Sequence, residues 1–311
     1  MFLAPTYLPV SMVSFACISL RSIIVKDRRP YNQIIRCATD PRYTPTPLAE
    51  DLTMLYRPLF WTSYWCEDWL HSSNYRSGAS TILISSASSK TAFCLAYLIG
   101  KRIGRGDVNK STKVIGLTSK RNVGFTKRLG LYHEVLEYDS FTNTRPFQGN
   151  ADDRWIYIDV AGNDELNKKL FAHFASPYTP KFAACVQLGL TNLSPSSADV
   201  SSKEWSKNTF DMSNSHTADL TSQFWPQMEE FFMPEWLDVR KHQIPIGEIF
   251  KRQNEAWKEL MQDCTEWVQL ERITGPQAVR DAYVKLAKEG LGPDKGMIWS
   301  LWDEEAPKAR L

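Results

Sequence analysis

Between Thr81 and Ala92 the chain reads Thr-Ile-Leu-Ile-Ser-Ser-Ala-Ser-Ser-Lys-Thr-Ala, without a glycine. A short apolar strand, a tight turn and a helix start follow one another there. Backbone N–H groups at a helix N-terminus attract anions, and serine caps such a terminus while offering a hydroxyl. A nucleotide-binding fold carries its glycine-rich phosphate loop at this place. Ser86, Ala87, Ser88, Ser89, Lys90 and Thr91 are therefore candidate contacts to a pyrophosphate. Loss of the glycines removes the closest backbone approach, so the site is marked by its position more than by its composition.

Two further groups point to a dinucleotide. A second strand, Lys113 to Leu117, runs into Thr118, Ser119, Lys120 and Arg121. An acid at that place would accept from free ribose hydroxyls, whereas hydroxyls and cations suit a 2′-phosphate. Nine Lys or Arg and one acid lie between Lys101 and Arg128. Most of that wider run reads as solvated helix surface, and the functional reading is confined to Ser119, Lys120 and Arg121. Asp159, Gly162 and Asn163 end another apolar strand, at the edge where open α/β sheets bind ligands. Asp159 reads equally well as a structural cap of the following turn.

A rival reading uses the same residues. Ser89-Lys90-Thr91 mimics the end of a P-loop, and Ile156 to Asp159 mimics the acid-ended strand that supports magnesium. The two defining P-loop glycines would fall on Ile84 and Ser89, which disfavours an NTPase.

These residues need a scaffold, and the hydrophobic pattern supplies one. Strands are expected at Ile82 to Ile84, Lys113 to Leu117, Val135 to Tyr138, Trp155 to Val160 and Cys185 to Leu188. Helices are expected at Thr91 to Ile99 and Arg121 to Leu129. Continuous apolar strands separated by helices predict a parallel sheet covered on both faces. The first two strands lie about 30 residues apart, the size of a βαβ unit. Tyr56 to Leu70 reads as a helix with Trp61, Trp65 and Trp69 on one packing stripe. Thr191 to Gln223 is polar and aperiodic, and reads as an insertion. Phe231 to Met261 reads as helix, Asp281 to Lys288 as a short helix, and Met297 to Leu301 as a last strand able to join a sheet.

The bulk composition sets bounds on function. With 311 residues, 43% hydrophobic and 23% charged, the chain has the makeup of a soluble globular protein, and a net charge of +2 gives no drive toward nucleic acid. Eleven Trp read as core filling. Cys17, Cys37, Cys66, Cys94, Cys185 and Cys264 are scattered, without metal-ligand spacing, so no metal site and a reduced thiol population are expected. No stretch approaches the ~20 apolar residues of a membrane span. Met1 to Leu20 is apolar but broken by Pro5 and Pro9, unlike a signal peptide, and a cytoplasmic location follows.

The residues also carry a family resemblance. Leu117 to Tyr138 and Tyr157 to Gly162 resemble the medium-chain dehydrogenase/reductase superfamily. Tyr56-Arg-Pro-Leu-Phe60, Ser85 to Ala92 and Phe231-Phe-Met-Pro-Glu235 resemble more closely an uncharacterised branch of it, known chiefly as a domain of unknown function. The resemblance runs from about Tyr31 to the C-terminus. It implies a quinone reductase-like, Rossmann-like α/β fold with a doubly wound parallel sheet. Residues 1–55 would be a truncated remnant of an N-terminal GroES-like catalytic domain, because fewer than ~80 residues precede the first nucleotide-binding strand. Residues 56–225 would form the dinucleotide-binding domain, with its polar insertion near 191–223, and residues 226–311 a helical segment and final strand.

The cofactor implied is NADP, with Ser86 to Thr91 facing the pyrophosphate and Ser119 to Arg121 the 2′-phosphate. Asp159 to Asn163 and Gly189 to Thr191 would lie along the nicotinamide side. The activity implied is zinc-free reduction of a carbonyl or activated alkene of a small molecule, as a tailoring step of secondary metabolite biosynthesis. No nucleic acid or membrane partner is expected, and a homodimer is the assembly left open. The alternative is a catalytically silent binding or scaffold protein that keeps the fold without the reaction.

Overall fold

The computed structural model describes residues 40, 43–160, 162–188 and 226–302. Two compact units emerge. The larger comprises the described residues of Cys66–Phe231 with Leu286–Pro293, and the smaller those of Met1–Trp65, Phe232–Lys285 and Asp294–Leu311.

The larger unit is built on six strands: β1 (Thr81–Ile84), β2 (Lys113–Thr118), β3 (Glu134–Glu137), β4 (Arg154–Asp159), β5 (Lys181–Gln187) and β6 (Met228–Glu230). Every pairing is parallel and the order is β3-β2-β1-β4-β5-β6. This is the doubly wound α/β order of a Rossmann fold, with its switch point between β1 and β4. Strand β1 is buried along its whole length, as its continuous apolar run predicts. One face of the sheet is filled by Leu83, Leu117, Trp155 and Tyr157 packed on Leu170, Phe171 and Phe174.

The long helix α1 (Pro47–Ser72) starts nine residues before the expected Tyr56. Pro47 suits a first helical position, and Thr46 Oγ1 accepts the Ala49 N–H at 3.3 Å. Pro58 sits inside it, as it does in the expected span. In the larger unit its last turns are clasped by buried Glu67, which accepts two bonds from Arg102 at 2.6 and 2.7 Å and one from the Tyr75 hydroxyl. Asn74 to Ser77 then take left-handed backbone angles (φ 48, 47, 55 and 65°) ahead of β1. Such a run costs about 1–2 kcal/mol per residue for L-amino acids. Arg76 offsets it by pairing with Glu229 on β6 at 2.6 Å and stacking over the Trp69 ring at 4.2 Å.

Helix α2 (Lys90–Arg105) follows β1, α3 (Val123–Arg128) follows β2, and α4 (Asp164–Phe174) follows β4. Helix α2 runs past the expected Ile99 and stops at Gly106, whose φ of 82° only glycine adopts cheaply.

In the smaller unit the sequence expectation needs correcting. The helix expected from Phe231 to Met261 is two helices, α5 (Met233–Gln243) and α6 (Ile246–Asp263). Pro245 holds Ile244 in extended geometry (φ −129°, ψ 136°) and breaks the helix there. The last strand, β8 (Lys295–Ser300), does not extend the six-stranded sheet. It pairs in parallel with β7 (Gln269–Thr274), a strand absent from the sequence reading, across α7 (Pro276–Glu289). Here α1 meets the sheet directly, with Leu55 at 2.6 Å from where a Cβ on Gly296 would stand. Phe60 and Trp61 of α1 pack on Trp257 of α6 at 5.5 and 5.8 Å between ring centres; Phe60 and Trp257 are buried core and Trp61 is half-buried against them. Of residues 1–55, expected as a GroES-like remnant, only 40 and 43–55 are described, and 47–55 form the first turns of α1; the rest of that segment lies outside the described residues, as do the polar insertion and Gly189 to Thr191.

Candidate functional site

The carboxyl ends of β1, β2 and β4 lie side by side and carry the candidate residues that fall among the described ones. After β1 the chain turns through Ser85 to Ser89 and enters α2 with Ser89 as its cap, Oγ accepting the Ala92 N–H at 3.3 Å. Ser86 has φ 50°, the left-handed conformation that a glycine would adopt without cost. Its N–H donates to the Tyr138 hydroxyl at 3.1 Å, and its Oγ lies 3.3 Å from the same oxygen. Burial raises the Tyr138 phenol above its usual value, so it stays protonated.

The loop is held down residue by residue. Ala87 N–H donates to Leu117 O at 2.9 Å, and Ala87 O accepts from the Tyr132 hydroxyl at 2.9 Å. Ser88 Oγ accepts from Thr118 Oγ1 at 3.2 Å and Asn122 Nδ2 at 3.0 Å. Lys90 turns away from the loop, its Nζ 3.4 Å from Pro293 O. The close approach that a loop glycine normally allows is supplied from the neighbouring strand. A Cβ on Gly116 of β2 would stand 2.7 Å from Ala87 Cβ and 2.9 Å from Tyr132 Cδ1. Gly116→Ala is therefore expected to destabilise by about 1–3 kcal/mol, since Ala87 cannot move without breaking its own bonds. Gly104→Ala on α2, with no atom within 4 Å of its Cβ, is the control and is expected to be neutral or stabilising in thermal melts.

Asp159 is fully buried at the end of β4. Oδ1 accepts from Ser85 Oγ at 3.0 Å and Gly162 N–H at 2.9 Å, and Oδ2 from Asn167 Nδ2 at 2.7 Å. Ser85 Oγ in turn takes the Val160 N–H at 2.9 Å. The carboxylate thus ties the start of the β1 loop to β4 and α4. Gly162 supplies the positive φ (66°) that lets its N–H reach back, and Asn163 caps α4 by accepting the Leu166 N–H at 3.1 Å.

At the end of β2 the situation differs. Ser119 Oγ is buried and makes no hydrogen bond among the described residues. Lys120 and Arg121 follow in a short 3-10 turn, both exposed, and neither has an ion-pair partner among the described residues. A buried hydroxyl left unpaired costs free energy until a ligand meets it. A 2′-phosphate brings the acceptor oxygens and the charge that these three residues can use, so the donor set fits that group. Tyr138, Asn122 and Gly116 were outside the sequence expectation. Only the position of Tyr138, just past β3, hinted at a role.

The described cysteines Cys66, Cys94, Cys185 and Cys264 are all buried. Burial pushes the thiols of Cys66 and Cys185 well up and that of Cys264 to about 12, which argues against a thiolate nucleophile. Among the described residues no group of three or more His, Cys, Asp or Glu is placed to hold a metal ion. No helix there is long and apolar enough to cross a membrane.

Comparison with known proteins gives one family and several partial likenesses. Residues 14–292 match the family model described as "Protein of unknown function (DUF2855)". The chain belongs to the DUF2855 family. A search of curated proteins returns no match. Among solved structures, this DUF2855 chain is similar to the YhdH oxidoreductase from Salmonella enterica in complex with NADP. That likeness has 15% identity and a TM-score of 0.40, over 77% of this chain and 60% of that one. It is also similar to YhdH from E. coli K-12 with bound NADPH, at 14% identity and TM-score 0.40, over 86% and 66% of the two chains. CurA from Vibrio vulnificus in complex with NADPH follows at 12% identity and TM-score 0.45, over 83% and 67%. The DUF2855 chain thus spans 60–67% of the length of these three proteins.

Proposed function

We propose that this DUF2855 chain binds NADP(H) across the carboxyl ends of β1, β2 and β4, and is a zinc-free reductase of the medium-chain type. The observation that carries the reading is the unpaired, buried Ser119 hydroxyl beside Lys120 and Arg121, at the end of β2 in a sheet of Rossmann order. In this reading Ser119, Lys120 and Arg121 hold the adenosine 2′-phosphate, and Ser86 to Thr91 face the pyrophosphate. Gly162 and Asn163 lie along the nicotinamide side, with Asp159 positioning them through its bond to the Gly162 N–H. When bound, NADPH supplies a hydride for a carbonyl or an activated alkene of a small molecule. The setting that fits is a tailoring reduction in small-molecule biosynthesis.

Titration of the full chain with NADPH, followed by tryptophan fluorescence, tests the binding. A saturable change, tighter than that with NADH, is expected; no saturable change at millimolar NADPH would overturn the reading. A second reading, binding without turnover, is favoured by the loop itself, whose donors are engaged inside the protein. NADPH-dependent turnover of any carbonyl, quinone or enone in a substrate screen eliminates it.

A further inference from the structure

The loop and the end of β2 are not equal partners for a ligand. The N–H groups of Ser85, Ser86, Ala87 and Ser89 donate to Ile158 O, the Tyr138 hydroxyl, Leu117 O and Ser86 O, at 2.9, 3.1, 2.9 and 2.7 Å. The loop hydroxyls are equally committed. Ser85 binds Asp159, Ser86 meets Tyr138, Ser88 accepts from Thr118 and Asn122, and Ser89 caps α2. A phosphate taking any of these donors must withdraw it from an internal acceptor. One hydrogen bond is exchanged for another and a buried acceptor is left bare, so the net gain is small. The partial positive charge at the start of α2 remains, but it acts without bonds to those donors.

At the end of β2 nothing has to be withdrawn. Ser119 Oγ is buried and unbonded, and Lys120 and Arg121 carry charge with no partner among the described residues. Ser119 is half-buried as a residue, and a turn of its side chain brings the hydroxyl to a phosphate oxygen, satisfying a group that is otherwise a standing cost, while Lys120 and Arg121 add charge-assisted bonds.

We infer that the site is polarised: the 2′-phosphoadenosine half of the ligand carries the affinity, and the pyrophosphate with everything beyond it adds little. The ligand class is therefore any nucleotide with a 2′-phosphoadenosine end, adenosine 2′,5′-bisphosphate included. The serine run is a clamp that fixes the loop rather than a cradle for phosphate. This inference rests on the NADP(H) reading above and sharpens where its binding energy resides.

The test is isothermal titration of the full 311-residue chain with NADPH and, separately, with adenosine 2′,5′-bisphosphate. The same pair of titrations is run on the Lys120→Ala, Arg121→Ala double variant, whose changes lie on exposed side chains. The expected result is a Kd for the bisphosphate within about tenfold of that for NADPH, with the double variant weakening both by the same factor. A bisphosphate that binds more than about tenfold more weakly than NADPH overturns the polarised site while leaving the cofactor reading intact. Unequal losses in the double variant overturn it as well. Binding of neither ligand defeats both the inference and the reading beneath it.

Discussion

Replacing Arg121 with alanine is expected to weaken NADPH binding by about tenfold to a hundredfold and to change NADH binding far less. A hydrogen bond to a charged group contributes about 1.5–3 kcal/mol, and each 1.4 kcal/mol is about tenfold in affinity. Arg121 is exposed and has no ion pair among the described residues, so its removal strands no buried partner and leaves the fold intact. The loss is then read as a lost contact rather than as unfolding. NADH has no 2′-phosphate and serves as the internal control. Fluorescence titration of both cofactors against wild type and variant measures the ratio. Equal losses for NADPH and NADH would remove Arg121 from the 2′-phosphate site. High salt should mimic the substitution in part, because an exposed guanidinium is screened.

The strand-turn-helix at Thr81 to Ala92 was legible because each part has a local cause: an apolar run, a serine cap and a helical spacing of apolar residues. The same holds for the first five strands, each found within a few residues of its expected span. Three elements were not legible, for physical reasons. Strand β6 is the tripeptide Met-Glu-Glu, with no β-branched residue, and exists because β5 offers it a parallel edge. Strand β7, Gln-Leu-Glu-Arg-Ile-Thr, shows the polarity of a surface segment and among the described residues pairs only with β8. The break between α5 and α6 is a local proline effect that the helical periodicity of the flanking residues conceals.

The candidate site shows the same division. Position on the sheet could be read from the sequence, because strand ends follow from strand placement. What each side chain does there could not, because the partners are distant in sequence. Ser86 and Tyr138 are 52 residues apart, and Ser85 and Asp159 are 74 apart. Gly116 is the clearest case. The sequence question was how a phosphate loop manages without glycine, and the answer lies 29 residues beyond Ala87, on the strand against which that alanine packs.

Asp159→Ala is expected to destabilise the larger unit by about 3–5 kcal/mol. The substitution strips the acceptor from three donors, Ser85 Oγ, Gly162 N–H and Asn167 Nδ2, in a place sealed from solvent. Each buried donor left unpaired costs about 1–3 kcal/mol, and local relaxation recovers part of the sum. Asn167 cannot simply rotate to compensate, because its Oδ1 already accepts from the buried Tyr157 hydroxyl at 2.6 Å. Asp159→Asn keeps one carbonyl oxygen, which can serve Ser85 and Gly162, and turns an amide toward Asn167. About 1–3 kcal/mol is its expected cost. Urea unfolding of the two variants gives the order directly, and an alanine variant as stable as wild type would remove the anchoring role. The asparagine variant then separates anchoring from ligand contact. If Asp159 acts by holding Ser85 and Gly162 in place, Asp159→Asn loses stability while its NADPH affinity stays within about threefold of wild type, against the tenfold or more expected for Arg121→Ala.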